Sequence, residues 1–373
     1  MDSRSTGESS VTFTVVICTY KRVHLLIQLL SDLSLQSVQP DSIIIVDGDP
    51  ESGEVPSAIS TTTFFHKWRI LYLPSNHSNL SYQRYLGWLA ARQEKTDVLL
   101  YLDDDLRISQ QDAIEKVLAP FRLPEYKDVV GVTVPSITRE KTASDSNEGV
   151  YGKRNGVPAF LIKYLGAGRN VRPGGYTASG HRLFPKNNGS PYQEIEWLSG
   201  RIMAFRMSAI SKASFSDALF ATYELRIGKA EDTFLSRRVG FNRRLLMAFE
   251  ASVEHPDADI SRAYPNEAQQ RAYAIAYSRR LLNDDFRPFS KPHLSDRIAL
   301  VKSYMGNIVL NWFSALLSRK KDSFAYAWGY TLGAIRGLIQ KPTAHTLTPH
   351  IDWWADAEAA LSNLQVIKQG IEG

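Results

Sequence analysis

Three consecutive carboxylates, Asp103-Asp104-Asp105, close the apolar run from Asp97 to Leu102. Like charges this close raise one another's pKa unless a cation or strong donors compensate. A divalent cation is the natural partner, because magnesium or manganese takes one or two carboxylates and completes its shell with the phosphate oxygens of a nucleotide. A solvated acidic turn, or a helix N-cap ahead of Leu106, accounts for three acids as readily. A second acidic pair, Glu231-Asp232, leads into a helical stretch ending near Val239, where capping and the helix dipole favour carboxylates without any chemistry. His255, in Val253-Glu254-His255-Pro256, follows another strand-like run; a lone histidine is more often a surface or satisfied core residue than a ligand.

Residues of this kind act only if the chain brings them to one place. Val11 to Cys18 has the composition of a buried strand, followed by the turn Thr19-Tyr20-Lys21-Arg22. Leu25, Leu26, Leu29, Leu30 and Leu33 then recur at helical spacing, and Ser42 to Val46 is a second β-branched run that stops at Asp47. Ser81 to Ala91 suits a helix, Asp97 to Leu102 a third strand and Val129 to Val134 a fourth. Alternation of this kind predicts an α/β fold with a doubly wound, mostly parallel sheet, whose ligands lie beyond the carboxyl ends of the strands. The polar residues that end strands are therefore the ones to follow.

Three of those strand ends carry a resemblance. Val15-Val16-Ile17-Cys18-Thr19-Tyr20-Lys21-Arg22, Ile43-Ile44-Ile45-Val46-Asp47-Gly48-Asp49 and Tyr101-Leu102-Asp103-Asp104-Asp105 resemble, in order and spacing, a family 2 glycosyltransferase. Asn79-Leu80-Ser81-Tyr82-Gln83-Arg84-Tyr85-Leu86-Gly87 is similar to a degenerate form of the family's Gly/Asn-rich helix. Glu231-Asp232, beyond Trp197-Leu198-Ser199-Gly200, is similar to its acceptor motif. The resemblance implies the GT-A nucleotide-diphosphosugar fold over residues 11–285, with a nucleotide-binding half at 11–135 and an acceptor half at 190–285.

By position, it implies that Thr19, Tyr20 and Arg22 line the nucleotide pocket, that Asp47 bonds the base and that Arg84 borders the nucleotide. Asp103 is placed towards the ribose, Asp105 towards a divalent metal, Mn2+ or Mg2+, and Asp104 shares either task; His255 resembles the further metal ligand of some members. Asp232 matches the general base, with Glu231 beside it, and Trp197 and Gly200 fall on the acceptor side, where Trp197 offers a ring to a sugar or simply fills core. The implied reaction is inverting transfer from a nucleotide-diphosphate sugar to a carbohydrate or lipid-linked carbohydrate, as in bacterial surface polysaccharide assembly. Elementary chemistry agrees: a metal clamp stabilises the departing diphosphate while one carboxylate activates the attacking hydroxyl. A sugar-phosphate nucleotidyltransferase usually has a Gly-rich turn after the first strand, which Thr19-Tyr20-Lys21-Arg22 lacks; a non-catalytic nucleotide- or carbohydrate-binding module is the other alternative.

The 373 residues are 43% apolar and 22% charged, which excludes global disorder, and the single Cys18 excludes an intrachain disulfide or a cysteine-based metal site. Residues 1–10 form a polar tail without the basic start of a secretory signal, so a cytoplasmic protein is expected. Nine of the 23 glycines lie in 149–189, a long loop of the kind that serves as a lid or a disordered insertion. From Arg287 to Lys341, nine basic residues face two acidic ones, net +7 in a chain of +5, so the remainder is −2 and a nucleic-acid surface is not indicated. Residues 286–373 read as a basic amphipathic helical extension, with Ile298, Val301, Met305, Ile308, Val309, Trp312 and Leu316 on one face and Gly329, Gly333 and Gly337 placed for close helix approach. That extension suits either the inner face of an anionic membrane, through 287–341, or packing on the catalytic domain or a second subunit.

Overall fold

The computed structural model describes residues 11–62, 68–135, 165, 172–255 and 267–367. The polar tail and most of the Gly-rich loop, 149–171 apart from Leu165, lie outside the described residues. The first half runs β1 (Phe13–Thr19), α1 (Val23–Ser34), β2 (Ser42–Asp47), α2 (Glu54–Ser60), β3 (Arg69–Pro74), α3 (Leu80–Ala91), β4 (Val98–Asp103), α4 (Ala113–Arg122) and β5 (Val129–Thr133). It continues through β6 (Tyr192–Ile195), β7 (Ile202–Arg206), α5 (Asp217–Glu224), α6 (Glu231–Val239), β8 (Arg244–Ala248), α7 (Glu267–Asp284), α8 (Leu294–Ser318) and α9 (Lys321–Ile339). The chain ends in α10 (Ala344–Leu347), α11 (Trp353–Leu361) and β9 (Gln365–Val366).

The nine strands among the described residues join one sheet in the order β6-β8-β5-β7-β4-β1-β2-β3-β9. The central four, β3-β2-β1-β4, are parallel, as expected of strands buried on both faces: β1 and β2 have no exposed residue. β7 enters antiparallel between β4 and β5, and β5 pairs in parallel with β8. One core lies under α1, α2 and α4, the other under α3, α5, α6 and α11. Registers Thr19↔Asp47 and Cys18↔Asp103 bring three sequence-distant strand ends to one rim.

Helix α3 is seated by two local features. Asn79 caps it by accepting from the Tyr82 amide at 3.2 Å. Gly87 lets it lie directly on β1, since a Cβ there would come within 2.3 Å of Val16 Cγ1. This close seat carries Gln83 and Arg84 to the strand ends.

The C-terminal region divides where the sequence suggests one helical extension over 286–373. Helices α8 and α9 form the extension, and its glycine stripe works as expected: Cβ atoms at Gly329 and Gly333 would fall 2.0 and 2.4 Å from the Gln269 and Tyr273 carbonyl oxygens of α7. Residues beyond 340 instead fold back onto the α/β unit. Trp353, 1% exposed, packs against Tyr82 and Phe220, and β9 pairs antiparallel with β3. Burial of that indole, together with Ala357 and Ala360 on the same face of α11, draws the segment away from the extension. Ile298, Val301, Met305, Val309 and Leu316 on α8 stay exposed, whereas Ile308 and Trp312 are half-buried.

Candidate active site

The acidic triplet ends β4 at the sheet rim, and its three members have different partners. Asp104 accepts from Thr19 Oγ1 at 2.8 Å and from Arg22 at 3.3 Å; burial pushes its carboxyl up to about 6 against the pull of both donors. Asp103 accepts from Arg84 Nη2 at 2.9 Å, and burial raises its pKa despite that guanidinium. Asp105 lies 3.1 Å from Arg22 Nη1. Burial works to raise it, but the neighbouring His255 imidazole and Arg22 prevail and hold it below the usual carboxylate range.

His255 reaches this place because its segment is zipped to the loop after β4, with reciprocal 2.9 Å bonds between the Arg107 and Glu254 backbones. Its Nε2 stands 3.1 Å from Asp105 Oδ1, yet that oxygen is buried and makes no hydrogen bond of proper geometry. Ligand atoms of Asp103, Asp105 and His255 lie within 4.8 Å of one another. An orphaned carboxylate oxygen beside a second carboxylate and an imidazole is a donor set that fits a divalent cation.

The second acidic centre stands at the start of α6. Ala230, which precedes it, holds φ +70°, a left-handed conformation that costs energy in a residue with a Cβ. Asp232 Oδ2 accepts from Arg182 Nη1 at 2.8 Å and the Gly200 amide at 3.0 Å, while Oδ1 accepts from the Thr233 amide at 2.7 Å and Thr233 Oγ1 at 3.2 Å. Burial opposes ionisation here, but Arg182, Arg84 and the backbone donors outweigh it and lower the Asp232 pKa. Glu231 takes the opposite direction. Burial pushes it up to about 7 in spite of Arg84 Nη1 at 2.7 Å, and the Tyr223 hydroxyl bonds its other oxygen.

Arg84 ties the two centres together. It is 3% exposed and donates to Asp103, to Glu231 and, at 2.9 Å, to the Gly200 carbonyl, whose own amide holds Asp232. The residue implied as bordering the nucleotide is thus a buried strut with three bonds to protein groups. Gly200 leaves room for this link: a Cβ there would meet Arg84 Nη2 and Asp232 Cβ, each at 3.2 Å.

Other expectations sort plainly. Tyr20 is 39% exposed at the rim, while Arg22, from the same turn, is partly exposed and held through Nη1 by Asp104 and Asp105. Thr19 is buried and bonded to Asp104, and its carbonyl accepts from the Gly48 amide at 2.9 Å and Gln83 Nε2 at 3.1 Å. Asp47 is buried too, accepting from the Tyr72 hydroxyl at 3.0 Å and the Asp49 amide at 2.9 Å, with its pKa raised by burial. Its position is a strand end, but its oxygens are already in use. Trp197 does not offer a stacking face: it is 1% exposed, its Nε1 donates to the Leu183 carbonyl, Phe184 meets it edge-on and Arg182 covers it at 5.0 Å. An aromatic beside an apolar run has gone into core. Gln83, Tyr223, Arg182 and Arg201 belong to the site and had not been singled out; only Arg201, a charge between Gly200 and the buried Ile202–Phe205 run, left a trace in sequence.

Residues 14–179 match the family model described as glycosyl transferase family 2. The matched stretch holds β2 to β5 and the Asp103-Asp104-Asp105 triplet, two of the places on which the sequence resemblance stands. The 4,4'-diaponeurosporenoate glycosyltransferase of Staphylococcus haemolyticus (strain JCSC1435) is 21% identical over 131 residues, 35% of this chain and 34% of that protein, so the chain spans about a third of this relative's length. Among solved structures, the mannosyltransferase PcManGT from Pyrobaculum calidifontis, in complex with GDP-Man and Mn2+, is 13% identical with TM-score 0.48, over 87% of this chain and 86% of that one. TarS 1-349 of S. aureus in complex with UDP-GlcNAc is 13% identical with TM-score 0.43, over 87% and 91%.

Proposed function

We propose that the protein is an inverting glycosyltransferase that moves a sugar from a nucleotide-diphosphate sugar to a hydroxyl of a carbohydrate or lipid-linked carbohydrate, in surface polysaccharide assembly, and that it requires Mn2+ or Mg2+. The observation that carries this is the Asp103, Asp105 and His255 cluster with its orphaned Oδ1, bound through Arg84 and Gly200 to a separate carboxylate, Asp232. A divalent cation held by the cluster supplies positive charge for the diphosphate; two carboxylates with one imidazole favour manganese over magnesium. Asp232 accepts the proton of the attacking hydroxyl as its oxygen bonds the anomeric carbon, and the electron pair of the breaking carbon–oxygen bond leaves with the diphosphate. Residues 11–135 serve the donor and 190–285 the acceptor, with Tyr20 and Arg22 at the donor rim.

A thermal-shift panel of nucleoside diphosphates, with Mn2+ and with a chelator, tests this reading. A diphosphate at 100 times its dissociation constant is expected to stabilise the fold by about 2.7 kcal/mol, in the presence of metal only. No metal-linked shift with any diphosphate overturns it, and sugar transfer that survives chelation overturns its metal requirement.

Contact of residues 287–341 with an anionic membrane face has its own support. Leu294, Ile298, Val301, Met305, Val309 and Leu316 recur along one exposed face of α8, in a segment of net charge +7. Among the described residues no helix is long and apolar enough to cross a membrane. Flotation with vesicles containing anionic lipid, lost with neutral vesicles and on replacing Met305 and Val309 by Glu, is the expected result; flotation unchanged by either rejects it.

A further inference from the structure

A carboxylate has about four lone-pair sites, and those of Asp232 are all filled. Three of the four donors are backbone amides or the adjacent Thr233 hydroxyl, fixed by α6 and the Gly200 turn. Arg182 is the exception, a long side chain still 36% exposed. A hydroxyl that is to give its proton to Oδ2 reaches it only after Arg182 has left. A neutral alcohol offers a guanidinium nothing of equal strength in exchange, because bonds between ionised partners are about twice as strong as neutral ones. An anion does.

Arg201 supplies a second cation at the same place. It follows Gly200, its carbonyl accepts the Asp103 amide at 3.0 Å, and it is half-buried. No hydrogen bond or ion pair holds its guanidinium among the described residues. The Gly200 amide holds Asp232 while the next carbonyl, that of Arg201, holds the Asp103 amide, so the Arg201 backbone stands between the two acidic centres. With a cation on Asp103 and Asp105, those carboxylates no longer balance the charge of Arg201, and Arg182, already on Asp232, has a second arginine beside it in the chain segment that holds that carboxylate.

We propose that Arg182 and Arg201 form an anion site for the acceptor, so that the hydroxyl receiving the sugar is presented beside a phosphate or carboxylate of the acceptor itself. The acceptor's anion takes over Arg182, one lone pair of Asp232 Oδ2 opens next to the incoming hydroxyl, and neutral acceptors leave the base closed. This rests on the glycosyl-transfer reading above and narrows its acceptor to an anionic class.

The test is calorimetric and uses the full chain saturated with a nucleoside diphosphate and Mg2+. Glycerol phosphate is the probe and glycerol the neutral control, titrated into wild type, Arg182→Gln, Arg201→Gln and the charge-retaining Arg182→Lys and Arg201→Lys. Expected is binding of glycerol phosphate but not glycerol, weakened about tenfold or more by either Gln variant and partly restored by Lys, with diphosphate affinity unchanged within about twofold. If diphosphate affinity falls instead and glycerol phosphate is unaffected, the pair serves the donor and the proposal is overturned. Equal binding of glycerol phosphate by every variant, or none by wild type, overturns it as well. Failure of the underlying reading is visible separately, as a wild type that binds no diphosphate with metal, and the anionic-acceptor inference falls with it.

Discussion

Two acidic centres joined through a single arginine differ in how far the protein itself satisfies them. At the end of β4, Asp105 Oδ1 is buried without a hydrogen bond, whereas at the start of α6 every lone pair of Asp232 has a protein donor. The first is built to be completed from outside, the second to be opened from outside. Residue type is the same in both; the difference lies in the elements that surround each carboxylate. A β-strand end with a turn provides few amides, while a helix start beside the Gly200 turn provides several.

That contrast can be broken most severely from the cation side. Asp105→Ala, or chelation of wild type, is expected to lower sugar transfer on the order of 10⁴-fold, about 5 kcal/mol of barrier, with loss of metal-linked diphosphate binding. Transfer unchanged in Asp105→Ala means the orphaned oxygen has another purpose. Asp232→Asn comes next: transfer falls on the order of 10³-fold while metal and diphosphate binding persist, as measured by steady-state rates beside calorimetry. A variant that loses both together makes Asp232 part of the donor site and erases the distinction.

Arg84→Met removes the link itself. It leaves Asp103 and Glu231, 25% and 12% exposed, without the buried cation between them, so a loss of about 2–4 kcal/mol is expected in urea denaturation, below that of a fully buried pair. A loss under about 1 kcal/mol, as for an exposed pair, denies Arg84 the role of strut. The smallest effect concerns pH. Glu231 holds its proton up to about 7 in the folded protein but releases it near 4.5 when unfolded, so the folded state binds more protons between these values and stability falls as pH rises through them. Asp232, shifted downward, adds stability that is lost only when pH falls below the ordinary aspartate range, outside that window. Glu231→Gln is expected to flatten the decline in melting temperature between pH 5 and 7 only in part, since Asp104, pushed to about 6, contributes to the same slope. An unaltered slope assigns the decline to other groups.

Much of the rim at the ends of β1, β2 and β4 was legible because it is local. Hydrophobic runs stopping at Thr19, Asp47 and Asp103 marked strands whose carboxyl ends must share a rim once the strands are parallel, and the registers bear this out. Gly329, Gly333 and Gly337 announced a helix contact by spacing alone, and α7 occupies it. The surroundings of Glu231 and Asp232 were harder to read. Arg182 comes from the end of a Gly-rich stretch without periodicity and meets Asp232 fifty residues later; Arg84 meets Glu231 across 147 positions. Trp197 had the composition of a sugar platform but the surroundings of a core residue, and surroundings are a tertiary property. The return of Trp353 to α3 and α5 likewise depends on which apolar faces were still uncovered after the sheet had formed.

Sequence by itself determined the resemblance at the strand ends, the alternating strands and helices, the rim on which the acidic triplet stands and the presence of a second carboxylate pair at a helix start, because each follows from short-range periodicity and residue type. Only the tertiary structure decided which carboxylate oxygen is left without a hydrogen bond, which arginine is a buried strut and which covers Asp232. Those outcomes depend on competition for a limited number of hydrogen-bond donors among groups far apart in the chain, and no local pattern records who wins.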